Sequence, residues 1–111
     1  MELALIYARS ASGDINQIIA QKRINEDEAI KNHLDTENLL ESGEANTASI
    51  AEAIKSKRFD IIYVTDPTRI TRNTDELLAI HQLADDHGVL IEYTRAEIND
   101  TITLLAKTIH N

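Results

Sequence analysis

The chain has 111 residues, enough for one domain around a single core, and its 42% hydrophobic content with three Tyr, one Phe and one Pro reads as aliphatic α/β rather than disordered. It has no Cys, which removes disulfides, thiolate nucleophiles and Cys-type zinc sites together. A formal charge of −8 argues against an autonomous, non-specific nucleic-acid binder, and no apolar run reaches membrane-span length, so the expectation is a soluble, cytoplasmic protein whose DNA contacts, if it makes any, are local or supplied by a partner.

Taken in chain order, Leu3 to Tyr7 is an apolar run of the buried-strand type, ended by the small polar stretch Ser10 to Asp14. A first helix is expected from about Asp14 to His33, with Ile15, Ile18, Ile19, Ile30 and Leu34 on one side and a charged middle. Leu39-Leu40 reads as a short second strand and Glu41-Ser42-Gly43-Glu44 as a loop. Asn46 or Thr47 caps a second helix carrying Ile50, Ala51 and Ile54, with Lys55, Lys57 and Arg58 at the end where the helix dipole favours cations. Ile61 to Val64 is the third strand. Asn73 or Thr74 then caps a helix with Leu77, Ile80 and Ala84 on one face and Gly88 as a left-handed stop, before a fourth strand from Val89 to Tyr93. Ile98, Ile102, Leu105 and Ile109 follow at spacings of four, three and four, a narrow apolar seam on a helix from about Ala96 to His110.

Strands alternating with helices imply right-handed crossovers and a three-layer α/β fold, with a mainly parallel, four- to five-stranded sheet and helices on both faces. Strands one and three are the most apolar and neither alternates, so strand one is expected at the centre, beside strand three, in flavodoxin-like order. Arg9 after strand one, and Arg69 and Arg72 in the loop after strand three, then share one edge of the sheet. Guanidinium groups there form a fork suited to phosphate or carboxylate oxygens; the plain alternative is a solvated loop with helix-flanking charge. Ser10 and Ser12 likewise read either as reactive hydroxyls or as loop and cap serines at the entry of the first helix. His33, His81, His87 and His110 lack metal-ligand spacing, Asp60 and Asp66 have no acidic partner after strand one, and Ser10 to Asp14 has one Gly and no Lys. No metal and no cofactor are expected.

Several pieces stand in a recognisable order. Tyr7-Ala8-Arg9 followed by serines, Gln21 on the first helix, Ser42-Gly43 before the second, and Arg69-Ile70-Thr71-Arg72-Asn73 after the third strand resemble the N-terminal catalytic domain of the serine recombinases, the resolvase and invertase family, over about residues 2 to 95. That family's signatures read Tyr-x-Arg-x-Ser and Asp-Arg-Leu-x-Arg. The resemblance implies a small α/β domain that cuts DNA by attack of a serine hydroxyl on a backbone phosphate, with Arg9, Arg69 and Arg72 as catalytic, phosphate-binding residues and no metal.

The departures imply weak or absent activity. Counted forward from Arg9, the nucleophile position falls on Ala11; counted back from Gln21, it falls on Ser12, so Ser12 and Ser10 are both candidates. A slip of one residue moves the attacking oxygen by up to about 3.5 Å. Thr68 stands where the family has Asp, Leu39 where it has an acid ahead of Ser42-Gly43, and Ala48 where it has an arginine. Family members continue into a long dimerising helix and a basic DNA-binding domain, which are expected here to be absent or truncated. The resemblance therefore implies DNA as a partner through a larger assembly, a weak homodimer formed along the Ile98 to Ile109 seam, and no membrane partner. Two readings stay open: a recombinase catalytic unit, or a non-catalytic regulatory domain that pairs with itself or with an active recombinase.

Overall fold

A computed structural model describes residues 2–95. The elements are β1 (Leu3–Ser10), α1 (Ile15–Lys31), β2 (Asp35–Ser42), α2 (Thr47–Lys55), β3 (Ile61–Val64), a 3₁₀ turn (Pro67–Arg69), α3 (Thr74–Asp86) and β4 (Leu90–Tyr93). The strands form one sheet in the order β2-β1-β3-β4, with every neighbouring pair parallel. As expected, strand one is interior and lies against strand three. Parallel neighbours need crossovers, and the helices that make them cover both faces. Ile50 and Ile54 of α2 and Ile80 and Ala84 of α3 pack with Leu5, Tyr7, Ile62, Val64 and Ile70 into the larger core. On the opposite face Ala29 of α1 packs with Ala4, Ile6, Ile61 and Tyr63.

Helix entries follow the capping rule, in which a side-chain oxygen takes one of the orphan N–H groups of the first turn. The Asp14 side chain accepts from Asn16 N, that of Asn46 from Ala48 N, and that of Asn73 from Glu76 N. Asn46 and Asn73 are thus the caps rather than Thr47 and Thr74. Gly88, at φ +69°, is the left-handed stop after α3.

Three expectations are corrected. The first strand runs on through Arg9 and Ser10, and the second spans Asp35–Ser42 in full register with it, Leu3 opposite Asp35 and Ser10 opposite Ser42. Glu41 and Ser42 are therefore strand, not loop. In this edge strand Leu39 packs against the larger core while its neighbour Leu40, on the opposite face, is 44% exposed, so the half-buried positions of β2 are mostly polar and the strand shows no apolar period.

The apolar side of α1 is also different. Ile15, Ile19 and Ile30 are 60%, 45% and 66% exposed, and the buried residues are Ile18, Gln21, Asn25 and Ala29. The reason lies in the sheet: β1 pairs with β3 only from Ala4 to Ile6, leaving the outer end of β1 without ladder partners on that side. The amides of Asn25 and Gln21 supply them.

The seam of Ile98, Ile102, Leu105 and Ile109 lies outside the described residues. Among the described residues no helix is long and apolar enough to cross a membrane.

Candidate active site at the carboxyl edge of the sheet

Arg9 lies where β1 has outrun β3. Its side chain is buried, and its guanidinium donates from Nε to Arg69 O at 2.7 Å, from Nη1 to Gly43 O at 2.7 Å and from Nη2 to Thr68 O at 2.9 Å. Two of these carbonyls belong to the 3₁₀ turn, whose last carbonyls have no partner within so short a helix, so Arg9 caps its C-terminal end. The third belongs to the turn after β2, where Gly43 adopts φ +93°. One side chain thus ties β1, the β2–α2 turn and the β3–α3 loop together.

Asp66 serves the other end of the 3₁₀ turn. Its Oδ1 accepts from Thr68 N at 3.1 Å and also from the Thr68 hydroxyl, and its Oδ2 accepts from Thr65 Oγ1 at 3.2 Å. The same oxygen lies 3.6 Å from Arg69 Nε. Thr68 is therefore held by an acid two residues ahead of it.

The three arginines end in different situations. Arg9 and Arg69 are in direct contact, because Arg69 Nη1 donates to Arg9 O at 3.3 Å. The Arg69 Nε is buried without a hydrogen-bond partner among the described residues. Arg72, on the same loop, is exposed and makes neither a hydrogen bond nor an ion pair among the described residues. Next to it, Thr71 Oγ1 donates to Glu76 Oε2 at 2.8 Å and accepts from Asn73 N at 3.1 Å, anchoring the loop to the first turn of α3.

The two serines also differ. Ser10 is fully buried; its Oγ accepts from Asp14 N at 3.1 Å and donates to Gln17 Oε1 at 3.1 Å. Ser12 is exposed, with its Oγ 3.2 Å from that of Ser10. The tight turn between them and α1 depends on Gly13 at φ +75°. Ser10 O accepts from both Gly13 N and Gly43 N, which seats this turn beside the end of β2. Across β1 and β2, the Tyr7 hydroxyl donates to Glu41 Oε1 at 2.7 Å. Burial, and then that bond, push the phenol above its ordinary value and keep it neutral.

Sequence reasoning missed Gln17 and Asn25. The signal for Asn25 was available: Ile18, Gln21, Asn25 and Ala29 recur at helical spacing of three, four and four, so the two amides sit on the buried stripe.

The Resolvase, N terminal domain family model matches residues 4–107. The chain belongs to the resolvase family. Among solved structures, this resolvase domain is similar to the N-terminal catalytic domain of TP901-1 integrase, with a TM-score of 0.76 at 15% identity over 99% of this chain and 94% of that one. A resolvase family site-specific recombinase from Streptococcus pneumoniae gives a TM-score of 0.73 at 23% identity, covering 99% of this chain and 84% of the other. The C-terminal catalytic domain of ISC1926 TnpA, an IS607-like serine recombinase, gives 0.73 at 22% identity, covering 83% and 68%. At such identities the likeness is one of fold. No curated protein matches the sequence. Among the described residues of this resolvase domain, no group of three or more His, Cys, Asp or Glu side chains is arranged to hold a metal ion.

Proposed function

We propose that this resolvase-family domain is a DNA recombinase catalytic unit with Ser12 as its nucleophile position and Arg69 and Arg72 as its phosphate ligands, and that in isolation it does not cleave DNA. The observation that carries this reading is the state of Arg9, whose three guanidinium nitrogens donate to three backbone carbonyls. Attack of a serine oxygen on a phosphodiester builds negative charge on the equatorial phosphoryl oxygens, and a donor stabilises that charge when it is aimed at those oxygens. Three of the five N–H donors of Arg9 are held by backbone carbonyls, one on each nitrogen, so its guanidinium is aimed at the two loops and not at a phosphoryl group. Loss of one such donor costs on the order of 100-fold to 1,000-fold in rate.

DNA engagement belongs to the larger assembly. The site's basic groups are few against a charge of −8, so affinity for the duplex has to come from attached or associated basic elements. Incubation of the chain with nicked or suicide DNA substrates, followed by a denaturing gel, tests the reading, and no covalent adduct is expected. An adduct that disappears with Ser12→Ala and survives Ser10→Ala would overturn the inactivity while assigning the nucleophile. An adduct surviving both substitutions would overturn the site.

A further inference from the structure

The hydroxyl of Ser10 has one proton and two lone pairs, and its neighbours allot them. Asp14 N–H, at 3.1 Å, occupies one lone pair. The acceptor-only amide oxygen of Gln17, also at 3.1 Å, takes the proton. One lone pair remains, and Ser12 Oγ lies 3.2 Å away. Ser12 must therefore be the donor of that contact, with its own proton turned inward to Ser10. Its lone pairs are left on the exposed side of the turn.

We infer that Ser10 is a positioning residue for Ser12, holding the Ser12 hydroxyl in one rotamer with its nucleophilic lone pairs outward, in a hydrogen-bond chain that runs from Ser12 through Ser10 to Gln17. The inference rests on the proposed function in so far as Ser12 is the attacking group. Neither an alcohol nor an amide oxygen is basic enough to keep the Ser12 proton, so the chain orients the hydroxyl and does not deprotonate it.

The local sequence shows how the arrangement arises. Asp14 is the cap of α1, which makes Gln17 its third helical residue. In an ordinary capping box a Gln at that place accepts directly from the cap residue's backbone N–H. Here Ser10 stands between them, taking the N–H of Asp14 and passing its own proton to Gln17. A capping role alone would be complete without Ser12, so the test has to read Ser12 itself.

Three-bond Hα–Hβ couplings at Ser12, measured by NMR on the free chain, report its side-chain rotamer. The couplings of a single rotamer are expected in the wild type. Ser10→Ala should bring them to rotamer-averaged values while amide shifts beyond Ile18 stay in place. Gln17 is exposed, so its variants test the same chain without disturbing the core. Gln17→Leu leaves the Ser10 proton unassigned and should shift the Ser12 couplings towards the average, whereas Gln17→Glu keeps an acceptor and should retain the wild-type values. Should Ser10→Ala not fold, the Gln17 pair decides. Averaged couplings in the wild type, or couplings that neither Ser10→Ala nor Gln17→Leu changes, would overturn the inference. No DNA enters this measurement, so the two readings fail separately. An ordered Ser12 with an adduct that survives Ser12→Ala counts against the proposed function alone, and rotamer-averaged couplings at Ser12 with no adduct count against the positioning role alone.

Discussion

One side-chain amide, that of Gln21, closes both backbone hydrogen-bonding groups of Arg9: Arg9 N donates to Gln21 Oε1 at 3.1 Å, and Gln21 Nε2 donates to Arg9 O at 2.9 Å. Where β3 has ended, Gln21 takes the place of a strand for one residue of β1. Arg9 is thereby fixed from two directions, its backbone by α1 and its guanidinium by the carbonyls of two loops.

Gln21→Leu removes this substitute strand and leaves the Arg9 N–H buried without an acceptor. A destabilisation of about 1–3 kcal/mol is expected, the cost of one buried unsatisfied group, read from the urea midpoint at unchanged slope. Gln21→Glu should do no better, because a carboxylate can take the N–H but faces the Arg9 carbonyl with a second acceptor. A shift under about 0.5 kcal/mol for both, the range of neutral surface changes, would show that water replaces the amide at no cost.

Arg9→Lys keeps the charge and loses the fork. An ammonium on a flexible stem cannot reach Gly43 O, Thr68 O and Arg69 O in one plane, so at least one bond from a charged donor disappears, a loss of about 1.5–3 kcal/mol. Hydrogen exchange should rise together at the Gly43 turn and the 3₁₀ turn. A rise in one loop with the other unchanged would mean that Arg9 does not couple them.

Asn25 is fully buried, donates to Tyr7 O at 3.1 Å and accepts from Thr94 Oγ1 at 2.9 Å, tying the residue after β4 to α1 and β1. Thr94→Val deletes one of these bonds at constant shape and should cost about 1 kcal/mol. Asn25→Leu deletes both and should cost more. In a double-mutant cycle the two changes are expected to couple by about 0.5 kcal/mol or more, and strictly additive values would argue against the contact.

Stability should fall in mild acid because of His81. Burial holds its pKa below the ordinary value, with Asp85 opposing, and its Nε2 lies 2.7 Å from the Tyr93 hydroxyl, which donates to it when the ring is neutral. The folded pKa is the lower of the two, so the unfolded chain binds the extra proton first. The contribution is complete above about pH 6.5 and is lost as the pH falls from there through the folded pKa. Glu92 acts in the opposite sense: its pKa is raised by burial and then by Glu28, so its contribution is complete below the ordinary glutamate value and is lost as the pH rises through the folded pKa. Urea unfolding compared at pH 8 and pH 5.5 should show the loss, and His81→Gln should flatten it. An unchanged slope with pH in that variant would assign the effect elsewhere.

The local chemistry of this chain was legible from its residues. Apolar runs set β1, β3 and β4, Asn46 and Asn73 stand at helix starts, and the order of Arg9, Gln21, Ser42-Gly43, Arg69 and Arg72 points to the resolvase family. These are properties of neighbours in the chain, expressed through hydrophobic period, capping and motif spacing. What the tertiary structure alone decided is how far each strand is paired and where each polar group turns. Because β3 stops at Val64 while β1 continues to Ser10, backbone groups that would pair within a sheet turn to side chains instead. That mismatch buries Gln21 and Asn25 on a helix face that periodicity assigned to isoleucines. The Arg9 guanidinium lies on the carbonyls of Gly43, Thr68 and Arg69, partners 34 to 60 residues away in sequence. No local pattern encodes such partners, since they exist only once the crossovers have brought three loops to one edge of the sheet.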